Sequence, residues 1–124
     1  MSRPAEFAGL SLDRPHIMGI LNVTPDSFSD GGKFNKKNKG AKHAIQMFKA
    51  GANIIDVGGE STRPGSKEVS QSKEWIRIKN SMKYLKTKKY FVSLDTRKNF
   101  VMKKALNFKI SLINDVSGLS YDKD

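Results

Sequence analysis

The fold is decided by residues 54–65, where a short apolar run passes directly into a polar, glycine-rich stretch. The sequence there is Ile54-Ile55-Asp56-Val57-Gly58-Gly59-Glu60-Ser61-Thr62-Arg63-Pro64-Gly65. The apolar run is typical of a buried strand, and paired glycines let a backbone turn sharply and approach a ligand closely. Arg63 suits an anionic ligand because its planar guanidinium can bind oxygens bidentately. The structural alternative is that Glu60 and Arg63 simply pair across a turn.

The same change from apolar to polar residues occurs at three other places. The apolar runs are Ile17–Leu21, Phe91–Leu94 and Leu112–Ile113, and the polar stretches that follow them are 22–32, 95–98 and 114–115. Polar groups placed repeatedly at the carboxyl ends of parallel strands are how an α/β barrel builds an active site. We therefore expect the four polar stretches to meet at one edge of a parallel sheet.

Helical patterns separate the strand-like runs. Their apolar stripes are Ala41, Ala44, Ile45 and Phe48, then Trp75, Ile78, Met82 and Leu85, then Val101, Ala105 and Phe108. The order is βαβαβαβ, after a short hairpin or cap within Phe7–Leu12, and it predicts an α/β fold with right-handed crossovers. A complete eightfold βα barrel needs roughly 250 residues. With 124 residues, the chain is either a small α/β domain or about half of a barrel.

The polar stretches hold the candidate ligand-binding residues, each with a structural alternative. Asn22 offers an amide oxygen to a hard cation such as Mg²⁺, and Phe28 would supply an apolar lid surface; the alternative is an ordinary surface loop in which Asn22 caps the next element. Asp95 can accept two N–H groups from a heterocycle, or cap the helix that begins near Lys98. Asn114 and its neighbour Asp115 pose the same choice, and the Asn114 amide suits the edge of a pterin or purine.

Composition limits the classes of function. The net charge is +11, but the lysines are scattered along helical segments, and no aromatic-basic RNA motif or zinc spacing accompanies them, which makes nucleic-acid binding an unfavoured alternative. Without cysteine, disulfides and thiolate chemistry are excluded. No run approaches the roughly 20 apolar residues that span a bilayer. We expect a cytoplasmic protein with no membrane partner.

Taken together, the polar stretches resemble those of dihydropteroate synthases. Residues 18–32 resemble the first signature of that family and residues 54–65 the second, while 95–98 and 113–115 match its next two strand ends. The resemblance implies a TIM barrel of the pterin-binding group. The chain would be a single truncated domain, residues 1–124, that covers about the first four βα units, the amino-terminal half of the barrel.

The family condenses 6-hydroxymethyl-7,8-dihydropterin diphosphate with 4-aminobenzoate in folate biosynthesis, giving dihydropteroate and diphosphate with Mg²⁺ as cofactor. By position, the resemblance implies that Asn22 lies near the Mg²⁺–diphosphate, and that Thr62 and Arg63 close over diphosphate and aminobenzoate. It implies that Asp95 and Asn114 hold the pterin, with Asp115 nearby. Phe28 and Pro64 would line the aminobenzoate pocket. Asp95 and Arg63 would be the catalytic residues among these.

The sequence departs from the family because four further βα units are missing. In the family those units carry another pterin-binding Asp, a Lys and a late Arg-x-His pair, so activity would need a carboxyl-terminal half from another chain or a homodimer. One alternative is a non-catalytic remnant or pterin- or anion-binding module. Another is a methyltransferase that acts on methyltetrahydrofolate, although residues 61–64 argue against it.

Overall fold

A computed structural model describes residues 5–24, 36–88 and 90–124, with the backbone alone at residues 36–38. The elements in chain order are β1 Glu6–Phe7, β2 Leu10–Ser11, β3 Met18–Asn22, α1 Lys36–Lys49, β4 Ile54–Gly58, α2 Gln71–Lys86, β5 Phe91–Asp95, α3 Asn99–Ala105 and β6 Leu112–Asn114. The alternation predicted from the sequence is confirmed, and the segment before it is a short antiparallel hairpin of β1 and β2. Phe28 lies outside the described residues.

The main sheet has four parallel strands in the order β3-β4-β5-β6. Each strand is hydrogen-bonded to the next one along the chain. Consecutive parallel strands joined by helices are the arrangement of a βα barrel wall. The predicted α/β fold class is therefore confirmed.

The hydrophobic core lies between the sheet and its helices. The buried core residues are Leu21, Ala44, Ile55, Val57, Ile78, Met82, Leu85, Val92, Leu94, Val101 and Ala105. Successive strand residues point to opposite faces, so one set of alternate positions can supply the whole sheet side of this core. The core packs against β3, β4 and β5, and the carboxyl ends of these strands carry candidate ligand-binding residues.

The near-continuous apolar run at His16–Leu21 is typical of a strand that is covered on both faces, but the face of β3 opposite the core is open in the described part of the chain. Met18 is 40% exposed and Ile20 is 62% exposed, whereas Leu21 between Ile20 and Asn22 is fully buried. Within residues 5–24, 36–88 and 90–124, no element covers the face that bears Met18 and Ile20.

Helix ends follow local capping chemistry. The helix α2 begins after Ser70, whose hydroxyl accepts a hydrogen bond from the Lys73 N–H, which satisfies one of the unpaired donors of the first turn. The helix α3 ends at Ala105, three residues before the predicted stripe residue Phe108. The Phe108 N–H donates to the Ala105 carbonyl at 2.8 Å, a tighter turn than an α-helix, and its ring packs against Trp75 instead.

The lysines on the helices are mostly solvated, as predicted. Those described as exposed on or just after α1 and α2 are Lys42, Lys49, Lys73, Lys79, Lys83, Lys86 and Lys88. One basic residue outside those helices departs from this pattern, because Lys98 is only 5% exposed.

Candidate functional site

One register row brings the ends of the four parallel strands together. Asn22 is paired with Gly58, Gly58 with Asp95, and Asp95 with Asn114. Three predicted site residues therefore lie side by side across the sheet, at the edge where the sequence placed them. The glycine among them makes room, since a methyl group at Gly58 would lie 3.1 Å from Oδ2 of Asp95.

The next row of the same face holds a buried carboxylate that the sequence analysis did not single out. Asp56 is 4% exposed, and its Oδ2 accepts a hydrogen bond of 3.1 Å from Nδ2 of Asn114. Because Nδ2 of Asn114 is engaged in this bond, its Oδ1 is the amide atom that can accept a ligand N–H. Among the residues that the structure describes, the other oxygen of Asp56, Oδ1, is buried without a hydrogen-bond partner, as is the Ser93 hydroxyl. An acidic residue inside an otherwise apolar strand was the signal for this site.

The Asp95 carboxyl is strongly perturbed. Burial raises its pKa from 3.8 to about 6, and the negative charges of Asp56, Glu74, Asp115 and Glu60 add to the effect. Such a shift, caused by desolvation and like charges, is common where a protein holds a carboxylate ready for a cationic or N–H-donating ligand.

Asp95 is not a helix cap, so the structural alternative for it is wrong. The N-cap residue of α3 is Lys98, which makes no side-chain capping bond. The hydroxyl of Thr96 accepts from the Lys98 N–H at 3.2 Å. Because the Thr96 hydroxyl accepts this hydrogen bond, the turn does not use the Asp95 carboxylate, which lies at the end of β5.

A basic groove lies beside the strand ends, between the residue 60–69 loop and the start of α2. Its volume is about 840 Å³, and its lining residues are Asn22, Thr24, Ser61, Arg63, Pro64, Gly65, Ser66, Lys67, Glu68, Val69, Ser70, Lys73 and Arg77. Arginine and lysine outnumber the single acidic residue in this lining. Thr62 is exposed on the same loop. The groove therefore has the charge and the hydroxyl groups that suit an oxyanion.

Glu60 does not pair with Arg63, and the predicted alternative of a simple turn pair is wrong. The Glu60 carboxylate accepts from Arg97 Nε at 3.0 Å, from Lys98 Nζ at 2.8 Å and from the Val69 N–H at 2.8 Å. Burial alone would raise the pKa of Glu60, but these bonds hold it below its usual value. Arg63 is exposed at the groove, where its guanidinium can meet a ligand.

Asp115 organises its own loop. Its Oδ1 accepts from the Ser117 N–H and hydroxyl, and its Oδ2 accepts from the Leu119 N–H. Burial would raise the pKa of this carboxyl, but the Ser117 and Leu119 bonds lower it. Asp115 therefore shapes the loop after β6, next to the predicted ligand residue Asn114.

Among residues 5–24, 36–88 and 90–124, no three histidine, cysteine or acidic side chains cluster in a way that could hold a metal ion. The oxygen atoms at the strand ends nevertheless suit a Mg²⁺ ion that is held mainly by the phosphate groups of a bound ligand. That ion commonly keeps one or two protein oxygens and takes the remainder from phosphates and water. Asn22, exposed at the end of β3, offers one such oxygen. In the part of the chain that is described, no helix has the length and apolar character to cross a membrane.

Four parallel strands joined by helices, with polar residues at the carboxyl ends of the strands, are the arrangement of a βα-barrel wall. The chain belongs to the family of pterin binding enzymes, whose sequence model matches residues 18–124.

Its relatives within that family are dihydropteroate synthases. The chain is 47% identical over 117 residues to the dihydropteroate synthase of Escherichia coli K12, covering 94% of this chain and 42% of that protein. The chain thus spans about two fifths of the length of this relative. The synthase of Xanthomonas albilineans with 4-aminobenzoic acid superposes with a TM-score of 0.86 at 42% identity, over 92% of this chain and 43% of that one. The Clostridium difficile enzyme with pteroic acid gives 0.84 at 49% identity, over 90% and 43%.

Proposed function

We propose that this chain, as a single domain over residues 1–124, forms the pterin- and diphosphate-binding part of a dihydropteroate synthase. The complete reaction joins 6-hydroxymethyl-7,8-dihydropterin diphosphate to 4-aminobenzoate and releases diphosphate. The chain spans 42% of its Escherichia coli relative, so the whole reaction is proposed only together with the further barrel units that such a relative contains. We also propose a cytoplasmic location.

The observation that carries the proposal is the register row that ends in Asp95 and Asn114. The Asn114 amide, fixed by Asp56, would accept from a pterin N–H through its free oxygen. Asp95 would accept further N–H groups through its carboxylate. A pterin presents several N–H donors along one edge, which such a pair of acceptors matches. The relative solved with pteroic acid, which contains a pterin, supports the same ligand class, and the relative solved with 4-aminobenzoic acid supports the second substrate.

The reaction breaks the bond between the pterin methylene carbon and the diphosphate oxygen. The amine of 4-aminobenzoate forms the new carbon–nitrogen bond and loses a proton. Positive charge develops on the pterin methylene as the anion leaves, and the Asp95 carboxylate would stabilise it. Arg63 would bind the departing diphosphate, with Thr62 donating to it from the same exposed loop. Pro64 and Phe28 would contact the aminobenzoate.

Asn22 would hold Mg²⁺ together with the substrate diphosphate. The ion, when bound, would neutralise phosphate charge and favour departure of the diphosphate. Asn22 itself would orient that end of the substrate at the β3 edge of the row, while the pterin lies toward β5 and β6.

The test is isothermal titration of the purified chain with 6-hydroxymethyl-7,8-dihydropterin diphosphate and Mg²⁺. We expect saturable binding that is lost in Asp95→Ala. The matched control is Asp13→Ala, which removes an exposed carboxylate before β3. Absence of binding in a chain that melts cooperatively would contradict the proposal and favour the non-catalytic remnant. Binding that survives in Asp95→Ala would contradict the assigned role of Asp95.

Two further assays test whether the chain is a methyltransferase or a nucleic-acid binder instead. A methyltransferase should transfer the methyl group of methyltetrahydrofolate, and we expect no such transfer. A nucleic-acid binder should bind oligonucleotides with an affinity that falls steeply with added salt. We expect only weak binding of that kind, because the exposed lysines are spread over the helix surfaces.

A further inference from the structure

The loop that carries Thr62 and Arg63 is closed at its base by one carboxylate. Oε2 of Glu60, at the start of the loop, accepts from the Val69 N–H at its end over 2.8 Å. This single bond spans nine residues and joins the two ends of the residue 60–69 loop. The positions of Thr62 and Arg63 therefore depend on where the Glu60 side chain is held.

Lys98 holds that side chain. Its Nζ lies 2.8 Å from Oε2 of Glu60 and 2.8 Å from Oε2 of Glu74. The side chains of all three residues are at most 8% exposed. Burial alone would lower the pKa of Lys98, but the hydrogen bonds to the two glutamates raise it above its usual value. The charged lysine is thus the link between an exposed loop and the buried face of α2.

The remaining contacts fix the other members of the cluster. Oε1 of Glu74 accepts from the Thr96 hydroxyl at 2.7 Å, and the same hydroxyl accepts from the Lys98 N–H. Oε1 of Glu60 accepts from Arg97 Nε. The cluster therefore connects the residue 60–69 loop to the turn that directly follows Asp95. Nothing in the cluster needs to touch the substrate.

We propose that Lys98 is a positioning residue, which acts through Glu60 to hold the residue 60–69 loop so that Thr62 and Arg63 are presented to an oxyanion. The inference rests on the proposed function for the identity of that oxyanion, a diphosphate. The holding role itself does not depend on the ligand, because every contact that carries it lies within the protein.

Removing the lysine charge should release the loop. In Lys98→Met, two glutamates would share a buried volume without their common cation, and such like charges repel strongly at low dielectric. Glu60 is the partner that can move, because it lies on the loop, whereas Glu74 lies within α2. We therefore expect Glu60 to turn toward solvent and its bond to the Val69 N–H to break.

The first measurement is amide hydrogen exchange at Val69, compared between the wild-type chain and Lys98→Met. Exchange at Val69 should accelerate by about tenfold or more, while the amides of β4 and β5 keep their protection. Lys103→Met is the matched control, since it makes the same change at an exposed position of α3. Lys98→Arg keeps the charge and should restore much of the protection.

The second measurement compares binding of the diphosphate part of the proposed ligand with binding of its pterin part. We expect Lys98→Met to weaken the binding of inorganic diphosphate with Mg²⁺ by about tenfold, since Arg63 and Thr62 lose their fixed position. Binding of 6-hydroxymethyl-7,8-dihydropterin, which lacks the diphosphate, should be unchanged. A merely structural role for Lys98 would instead weaken both ligands together or neither.

If Lys98→Met does not fold, Glu60→Gln replaces it. This variant keeps an acceptor for the Val69 N–H but loses the charge that Lys98 holds, and we expect the same changes at smaller size. Unaltered exchange at Val69 in the folded variant would overturn the proposal, as would equal weakening of both ligands. Failure of the wild-type chain to bind either ligand would count against the proposed function alone, because the exchange at Val69 still decides the holding role.

Discussion

Asn114 donates its amide N–H to Oδ2 of Asp56, at 3.1 Å, from the end of one strand to the middle of a strand that is not its neighbour in the sheet. The bond reaches across the face of β5, which lies between them. It fixes the orientation of an amide at the sheet edge by means of a carboxylate that is almost fully buried. Asp56 therefore acts on the ligand site twice, through this bond and through its negative charge near Asp95.

The charge of Asp56 can be tested by Asp56→Asn, which keeps an acceptor for the Asn114 amide. Because the Asp56 charge is among the causes that raise the pKa of Asp95 to about 6, its removal should lower that pKa by about half a unit or more. The measurement is an NMR titration of the Asp95 carboxyl carbon. Ser93→Ala is the control, a change without charge in the same register row. An unchanged pKa in Asp56→Asn would contradict a contribution of the Asp56 charge to the raised pKa of Asp95.

The raised pKa of Asp95 also predicts how stability changes with pH. Between pH 3.8 and about 6, the folded chain holds a proton on Asp95 that the unfolded chain has lost, so the free energy of unfolding falls as pH rises through this window. We expect Asp95→Asn to be more stable than the wild type by about 1–2 kcal/mol near pH 7.5, after allowance for solvent screening, and about equally stable near pH 4.

Urea unfolding at the two pH values measures this difference. Asp13→Asn, at an exposed carboxylate, should show no such gain. If Asp95→Asn were less stable than the wild type near pH 7.5, the carboxylate would be a structural group and not a strained ligand group.

Alanine substitutions at the adjacent residues Gly58 and Gly59 should have different effects, because Gly59 is needed for the packing of the fold and Gly58 for the ligand site. A Cβ at Gly59 would lie 2.8 Å from the Glu74 carbonyl oxygen and 3.0 Å from Ile78 Cγ2, whereas the three atoms nearest to a Cβ at Gly58 all belong to the Asp95 side chain, from 3.1 Å. The α2 backbone cannot yield easily, so Gly59→Ala should lower the free energy of unfolding by about 1–3 kcal/mol.

Gly58→Ala should cost less than about 1 kcal/mol in the same unfolding measurement, because the Asp95 carboxylate can turn aside. It should nevertheless weaken pterin binding by displacing that carboxylate. Equal losses of stability in the two variants would contradict the assignment of Gly58 to the site and Gly59 to the fold.

The row of strand-end residues could be predicted from sequence because each member follows an apolar run, and parallel strands put their carboxyl ends at one edge. The cluster of Glu60, Glu74 and Lys98 could not. Glu74 and Lys98 belong to segments whose polar residues look solvated, and only the packing of α2 against the turn after β5 buries them together. Asp56 is an intermediate case, because its place in an apolar strand was visible but its bond to Asn114 depends on sheet order.

Ligand binding should release a proton, and this prediction depends on the proposed function. With a pKa of about 6, Asp95 is roughly half protonated near pH 6, and ligand N–H donors favour its charged form. Binding of 6-hydroxymethyl-7,8-dihydropterin near that pH should therefore release up to about half a proton, and almost none near pH 8. Titration calorimetry in two buffers of different ionisation enthalpy measures the released fraction. The pterin without diphosphate is the ligand of choice, because it adds no titrating phosphate. Asp95→Asn should abolish the buffer dependence, and equal heats in both buffers for the wild type near pH 6 would show that Asp95 does not accept from the ligand.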